Sequence, residues 1–294
     1  MNNLTNPNQE VKEKPEKKPF FATRYIKKIF RENGRFPLKF LGQNFLKEPR
    51  VLKKIIQAGQ ISKEDTILEI GAGFGNLTYF LAQKAKKVIA VEKDPFLAKI
   101  LKENLQDFKN IELIIADIRK ILPEIAEKME NYKIVGNLPY YLTSFLLRQI
   151  SNLQKKPKLC VFALQKEVAQ RICAKKGSVL SFFVQLFAEP KIISFVNKNS
   201  FWPQPKVDSA IILFKTKENE IKDDLLLKIV KAGFSQPRKK LINNLAKKLT
   251  LEKTALLFCF KSCKIEEKLR AEDLELENWL CLKKCLKNFL KEYS

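Results

Sequence analysis

Short apolar runs alternate with amphipathic stretches along most of this chain. Residues 66–70, 88–91, 111–117, 134–138 and 159–164 each read as a buried strand bounded by turn residues, and 191–196 and 209–214 add two more. Between them the apolar spacing changes to that of a helix. Pro49 opens one such helix and Gly59 closes it, with Leu52, Ile55 and Ile56 as its buried face. Strands alternating with helices predict a doubly wound α/β sheet. Past Lys217 a polar run leads into residues 225–294, which carry helical patterning only, so a domain boundary is placed at 217/218. Residues 1–36 show little periodicity until Thr23 and read as a basic, flexible extension in which part of 25–30 forms a short helix.

A length of 294 residues with 45% hydrophobic content fits one large and one small domain. The net charge of +24 changes the picture more. It divides as +5 over 1–36, +14 over 37–217 and +5 over 218–294, so it is spread along the molecule. Spread positive charge favours a polyanionic partner, nucleic acid being the common case, against the plainer source of a genome-wide lysine bias. No apolar run reaches the length of a membrane span, and Met1 to Lys18 lacks an apolar signal core. A cytoplasmic chain without membrane association is therefore expected, and its six cysteines read as reduced thiols. Cys259/Cys263 and Cys281/Cys285 are spaced i,i+4, either as buried helical thiols or as a metal site. The lack of any His and of tight C-x-x-C turns favours thiols and no metal.

Candidate chemistry gathers at strand ends. Gly71-Ala72-Gly73-Phe74-Gly75-Asn76 joins a strand to a helix, where a glycine-rich turn lets a ligand approach the backbone. Its G-x-G-x-G spacing disfavours a nicotinamide cofactor, whose fingerprint is G-x-G-x-x-G. Glu92 ends the next strand, placed either to accept both ribose hydroxyls of an adenosine or to sit at the surface. Asp117, at the third strand's tip, either accepts an adenine amine or caps the following helix. Asn137-Leu138-Pro139-Tyr140 offers two acceptors, the Asn137 amide oxygen and the Leu138 carbonyl, beside an aromatic ring. That set suits a planar exocyclic amine such as N6 of adenine, although Asn and Pro also mark ordinary turns. Gln43 and Asn44 precede the first amphipathic helix, to meet a ligand or to serve the turn. Phe201 and Trp202, held by Pro203 and Pro205 and followed by Lys206, either stack on an unpaired nucleotide or fill the core. Arg238, Lys239 and Lys240 form a basic cluster at a helix start.

The ordered set L-G-Q-N-F-L, E-I-G-A-G-F-G-N-L-T, V-E-K-D, A-D-I, G-N-L-P-Y-Y-L-T-S, Q-K-E-V-A-Q-R, F-W-P-Q-P-K-V-D-S-A and R-A-E-D-L resembles the ribosomal RNA small-subunit adenine dimethyltransferase family over about residues 37–290. The resemblance implies a Rossmann-like, S-adenosyl-L-methionine-dependent methyltransferase domain at 37–217. Its sheet would be seven-stranded and mostly parallel, with a small all-helical domain following at 218–294. It implies dimethylation at N6 of two adjacent adenines near the 3′ end of small-subunit rRNA, in a pre-ribosomal particle, by a monomer. Carried over by motif position, Asn44, Leu46, Gly71, Glu92, Asp117 and Asn137 contact the cofactor. Asn137, Pro139 and Tyr140 form the reaction site, and Phe201 stacks on the target base. The absence of His rules out a His general base, and the absence of a Pro-Cys pair argues against methylation at a pyrimidine carbon. The chain departs from the family pattern in three places. Phe145 stands where the family has Pro, the segment around Gly177-Ser178 and Leu180-Ser181 is short, and Pro237-Arg238 replaces an Arg pair. Two rivals share parts of the pattern: a large-subunit rRNA adenine methyltransferase of the macrolide-resistance type, and a non-catalytic ribosome-assembly or transcription factor on the same fold.

Overall fold

The structure, a computed structural model, describes residues 22–38, 41–174, 176–218, 221 and 223–290. Its strands in chain order are β1 (Phe45–Leu46), β2 (Thr66–Ile70), β3 (Lys87–Glu92), β4 (Ile111–Ile115), β5 (Tyr132–Asn137), β6 (Leu159–Gln165), β7 (Ala188–Val196), β8 (Phe201–Trp202) and β9 (Ser209–Thr216). Helix α1 (Thr23–Glu32) comes first. Then α2 (Pro49–Ala58), α3 (Asn76–Lys84), α4 (Pro95–Asn104), α5 (Ile118–Glu127) and α6 (Thr143–Asn152) alternate with β2 to β6. Helices α7 (Lys166–Cys173) and α8 (Val179–Phe187) precede β7, and α9 (Asp224–Gly233), α10 (Leu241–Leu249), α11 (Lys253–Ser262) and α12 (Leu276–Leu286) close the chain.

Seven strands form one sheet in the order β4-β3-β2-β5-β6-β9-β7. The pairings among β2 to β6 are parallel, while β9 runs antiparallel to both β6 and β7. The chain steps outward from β2 to β3 to β4, then returns to place β5 on the other side of β2. That reversal opens a crevice at the carboxyl ends of β2 and β5, the place where open α/β sheets bind ligands. Alternate residues of each strand feed opposite faces. Leu68, Ile70, Ile134 and Phe162 pack on one side of the sheet, and Ile67, Val88, Val135 and Val161 on the other. Gly136 lets β5 lie tight against β2, since a Cβ there would stand 2.7 Å from the Ile70 carbonyl oxygen.

A second core surrounds Trp279 and holds Leu226, Ile229, Leu241, Leu245, Leu256, Phe260 and Leu282. Helix α8 serves both cores, giving Phe182 and Leu186 to the second and Val184 and Phe187 to the first.

Three expectations change. The short helix expected within 25–30 runs over Thr23–Glu32 as α1 and is docked on the fold, where a flexible extension was expected. Ile26 and Phe30 are buried there against Phe45, Phe74, Leu97 and Ile100, and the Tyr25 hydroxyl donates to Asn104 at 2.8 Å. Residues 1–21 of that extension lie outside the described residues. The cysteines expected as thiols form two disulfides, Cys259–Cys285 and Cys263–Cys281, because the i,i+4 pair of α11 faces that of α12, with Cα atoms 5.6 and 5.7 Å apart. Phe145, the family's Pro position, is the third residue of α6. An N–H there has no intrahelical partner, so Pro and Phe serve the helix equally and the difference is one of surface.

Candidate active site

The crevice at the sheet's reversal forms an open, solvent-connected cleft. Asn44, Gly71, Glu92, Asp117, Asn137 and Pro139 all line it, brought together from five separate loops. The glycine turn shapes its floor. Gly71 and Gly73 take φ of +74° and +58°, left-handed values that side chains rarely adopt, and a Cβ on Gly71 would find only the Asn137 carbonyl oxygen, at 3.7 Å. Ile70, Val91, Leu97 and Ile118 give the cleft its apolar walls.

Glu92 ends β3 and is buried. Its Oε2 accepts from the Gly73 N–H and its Oε1 from the Asp94 N–H, both at 2.8 Å, so the carboxylate holds the glycine turn and the start of α4 together. Each oxygen keeps a lone pair for a ribose hydroxyl. Burial raises its pKa above the usual carboxylate value, and the backbone donors of Asp94 and Gly73 work against the rise. Asp117 fulfils the capping role: it accepts from the Arg119 N–H at the start of α5 and pairs with the guanidinium of Arg119 and the ammonium of Lys93. The hydrogen bonds from Arg119 hold its carboxyl far below the usual range. Asn137 donates its Nδ2 to the Asn44 backbone carbonyl at 2.8 Å.

Two predicted residues, Phe201 and Leu46, stand outside the cleft lining. Phe201, expected to stack on a base, is only 4% exposed and packs in the core beside Leu46, because β8 pairs antiparallel with β1 and turns its ring inward. Trp202 instead lies half-buried, stacked on Phe45 with centroids 6.4 Å apart. Leu46 is buried outside the cleft lining, and its carbonyl accepts from Asn76 at 2.9 Å. Tyr140 opens the 3₁₀ turn Tyr140–Leu142, and its side chain lies outside the described residues. Gln43 serves the turn, accepting from the Leu38 N–H and donating to Asp94.

Sequence reasoning misses Glu69, whose only signal is an acid inside the apolar strand T-I-L-E-I. It is fully buried behind the glycine turn, beside Thr78. Burial pushes its carboxyl up to about 8, with the charge of Glu92 adding to the rise. Hydrogen bonds from Thr78 work against the rise.

A mostly parallel sheet with this order of strands, a glycine turn after β2 and an acid ending β3 define an S-adenosylmethionine-dependent methyltransferase domain. The residues fit that cofactor. Glu92 has free lone pairs where ribose would lie, the glycine turn leaves backbone open, and apolar walls flank the adenine position. The family model for ribosomal RNA adenine dimethylase matches residues 37–288, and the chain belongs to that family. It is similar to ribosomal RNA small subunit methyltransferase A of Dehalococcoides mccartyi, 40% identical over 253 residues that cover 83% of this chain and 87% of that protein. It is 39% identical to the protein of that name from Clostridium botulinum, over 86% of this chain and 94% of that one. Among solved structures, a dimethyladenosine transferase from Plasmodium falciparum superposes with a TM-score of 0.71 at 28% identity, covering 84% of this chain and 98% of that one. A 23S rRNA methyltransferase, 24% identical over 82% of this chain and 99% of that one, shares the fold with a TM-score of 0.66.

Proposed function

We propose that this protein dimethylates N6 of two adjacent adenines near the 3′ end of small-subunit rRNA. It would act as a monomer on a pre-ribosomal particle in the cytoplasm. The observation that carries the reaction geometry is the hydrogen bond from Asn137 Nδ2 to the Asn44 carbonyl. A carbonyl only accepts, so the amide nitrogen is committed to it and Asn137 Oδ1 is left as an acceptor at the cleft.

Bound S-adenosylmethionine supplies an electrophilic methyl group on its sulfonium sulfur. The chain's own residues prepare the nucleophile. An adenine amine is a weak one, because its lone pair feeds into the ring. Asn137 Oδ1 and the Leu138 carbonyl accept its two N–H bonds and favour a pyramidal nitrogen whose lone pair points at the methyl. Glu92 would hold the ribose hydroxyls, and Asn44, Gly71 and Asp117, which line the cleft, would border the remainder of the cofactor. Pro139 stiffens the turn that presents the Leu138 carbonyl, and Tyr140 completes the reaction site. Among the described residues no helix is long and apolar enough to cross a membrane.

Mapping dimethyladenine in both rRNAs of a strain lacking this protein tests the proposal. Loss at two adjacent small-subunit adenines is the expected result. Loss in the large subunit, or no loss in either, would overturn it.

A further inference from the structure

Phe145, on α6, stands out because it is 43% exposed beside the reaction site. Tyr141, four residues earlier in the 3₁₀ turn that runs into α6, is 48% exposed and lines the cleft. Arg148 follows three residues after Phe145 and is also exposed. Positions 141, 145 and 148 share one face of the helical run, opposite the buried Thr143, Leu146, Leu147 and Ile150. From Arg148 the line continues across the junction between the two cores. Its guanidinium stands 5.8 Å from the ring centre of Phe183 on α8, and the ammonium of Lys231 on α9 stands 5.9 Å from the same ring. Two cations from different helices thus each lie within cation–π range of one half-buried aromatic ring.

We infer that Tyr141, Phe145, Arg148, Phe183 and Lys231 form a binding strip for unpaired RNA flanking the target adenine. The inference rests on the proposed RNA substrate and says where its neighbouring nucleotides lie. Alternating rings and cations are the combination that holds single strands: rings stack on bases of any sequence, and cations meet the phosphates between them. A duplex hides its base faces and would use only the cations. Seven residues of helix separate Tyr141 from Arg148, a rise of about 10 Å, which is room for roughly three stacked nucleotides at about 3.4 Å each. The strip starts at the cleft, so a strand lying on it would deliver one base to Asn137. The chain's +24 charge supplies the complementarity such a strand requires.

The test uses the full chain, an unpaired six-nucleotide RNA with two adjacent adenines, and a blunt RNA duplex, with anisotropy read at several salt concentrations. Phe145→Ala should weaken single-strand binding by about 5- to 150-fold with the salt slope unchanged, and leave duplex binding alone. The double variant Arg148→Ala/Lys231→Ala should lower the slope of log affinity against log salt by roughly 1.4, about 0.7 for each phosphate left without its cation. These positions are exposed, so the variants keep the fold, which a thermal melt checks. Single-strand affinity unchanged in both variants would overturn the strip, as would equal losses of duplex and single strand for Phe145→Ala. A cofactor titration of the wild type reports on the cleft alone. Its failure would count against the proposed function and not against the strip.

Discussion

Asn137 and Asn44 lie 93 residues apart in sequence and are joined by a 2.8 Å hydrogen bond from the side chain of the first to the backbone of the second. The bond ties the end of β5 to the segment preceding β1. It also decides which atom of the Asn137 amide is available to a substrate. The cleft is therefore built around an acceptor whose direction is set by main chain.

Glu92→Ala should weaken S-adenosylmethionine binding by roughly 10- to 150-fold, the loss of about 1.5–3 kcal/mol from a charged acceptor. It should also lower the melting temperature, since the buried N–H groups of Gly73 and Asp94 lose their partner. Calorimetric titration and a thermal melt measure the two effects separately. Unchanged cofactor affinity would remove Glu92 from the site.

Glu69→Gln tests the buried proton. The wild-type carboxyl titrates near 8 when folded, against an ordinary 4.5. Between those values the folded state holds a proton that the unfolded state has released. Stability therefore falls as pH rises through this window, by at most about 1.4 kcal/mol per pH unit, and levels off above it. Glutamine does not titrate. The variant's stability relative to wild type should thus climb from pH 5 to pH 8, as read from urea midpoints. A constant difference would mean Glu69 is ionised throughout.

Phe201→Ala should act on the fold. Removing a buried ring of this kind costs about 3–5 kcal/mol. A clear drop in melting temperature is expected, whereas a stacking residue at the surface would have left the melt unchanged and weakened RNA capture.

Reducing the two disulfides should lower the stability of the C-terminal helical region. The outer bridge spans 26 residues and the inner 18. A loop of that order is worth about 3 kcal/mol, and the inner bridge adds less because its loop is already closed by the outer. The cleft is built at the sheet's strand ends and away from the core around Trp279, so cofactor affinity should survive reduction. Cys259→Ser/Cys281→Ser removes both bridges, and its melting temperature should match that of the reduced protein.

What can be read from the chain divides along lines of sequence distance. The glycine turn, Glu92 and Asp117 are local signals, each a polar or flexible residue at the end of an apolar run, and the parallel sheet places all of them at one edge. Phe201 is ambiguous in sequence because its burial depends on β8 pairing with β1, across more than 150 residues, through two-residue strands with no pattern of their own. The docking of helix α1 is not legible because its anchors, Ile26 and Phe30, are too few to show a buried face amid lysines and arginines. The disulfides escape because i,i+4 spacing places two thiols on one face but does not say which helix that face meets. Glu69 is hidden by its surroundings, as a single acid in an apolar strand is easily taken for a surface residue.

The most direct measurement is single-turnover methyl transfer by Asn137→Ala, with saturating S-adenosylmethionine and small-subunit rRNA substrate. Removing one preorganised acceptor at the reacting nitrogen should slow transfer by about 10²–10³-fold, while cofactor binding falls little and the fold survives. A variant that transfers at near the wild-type rate would contradict the role of Asn137 and the reaction geometry built on it.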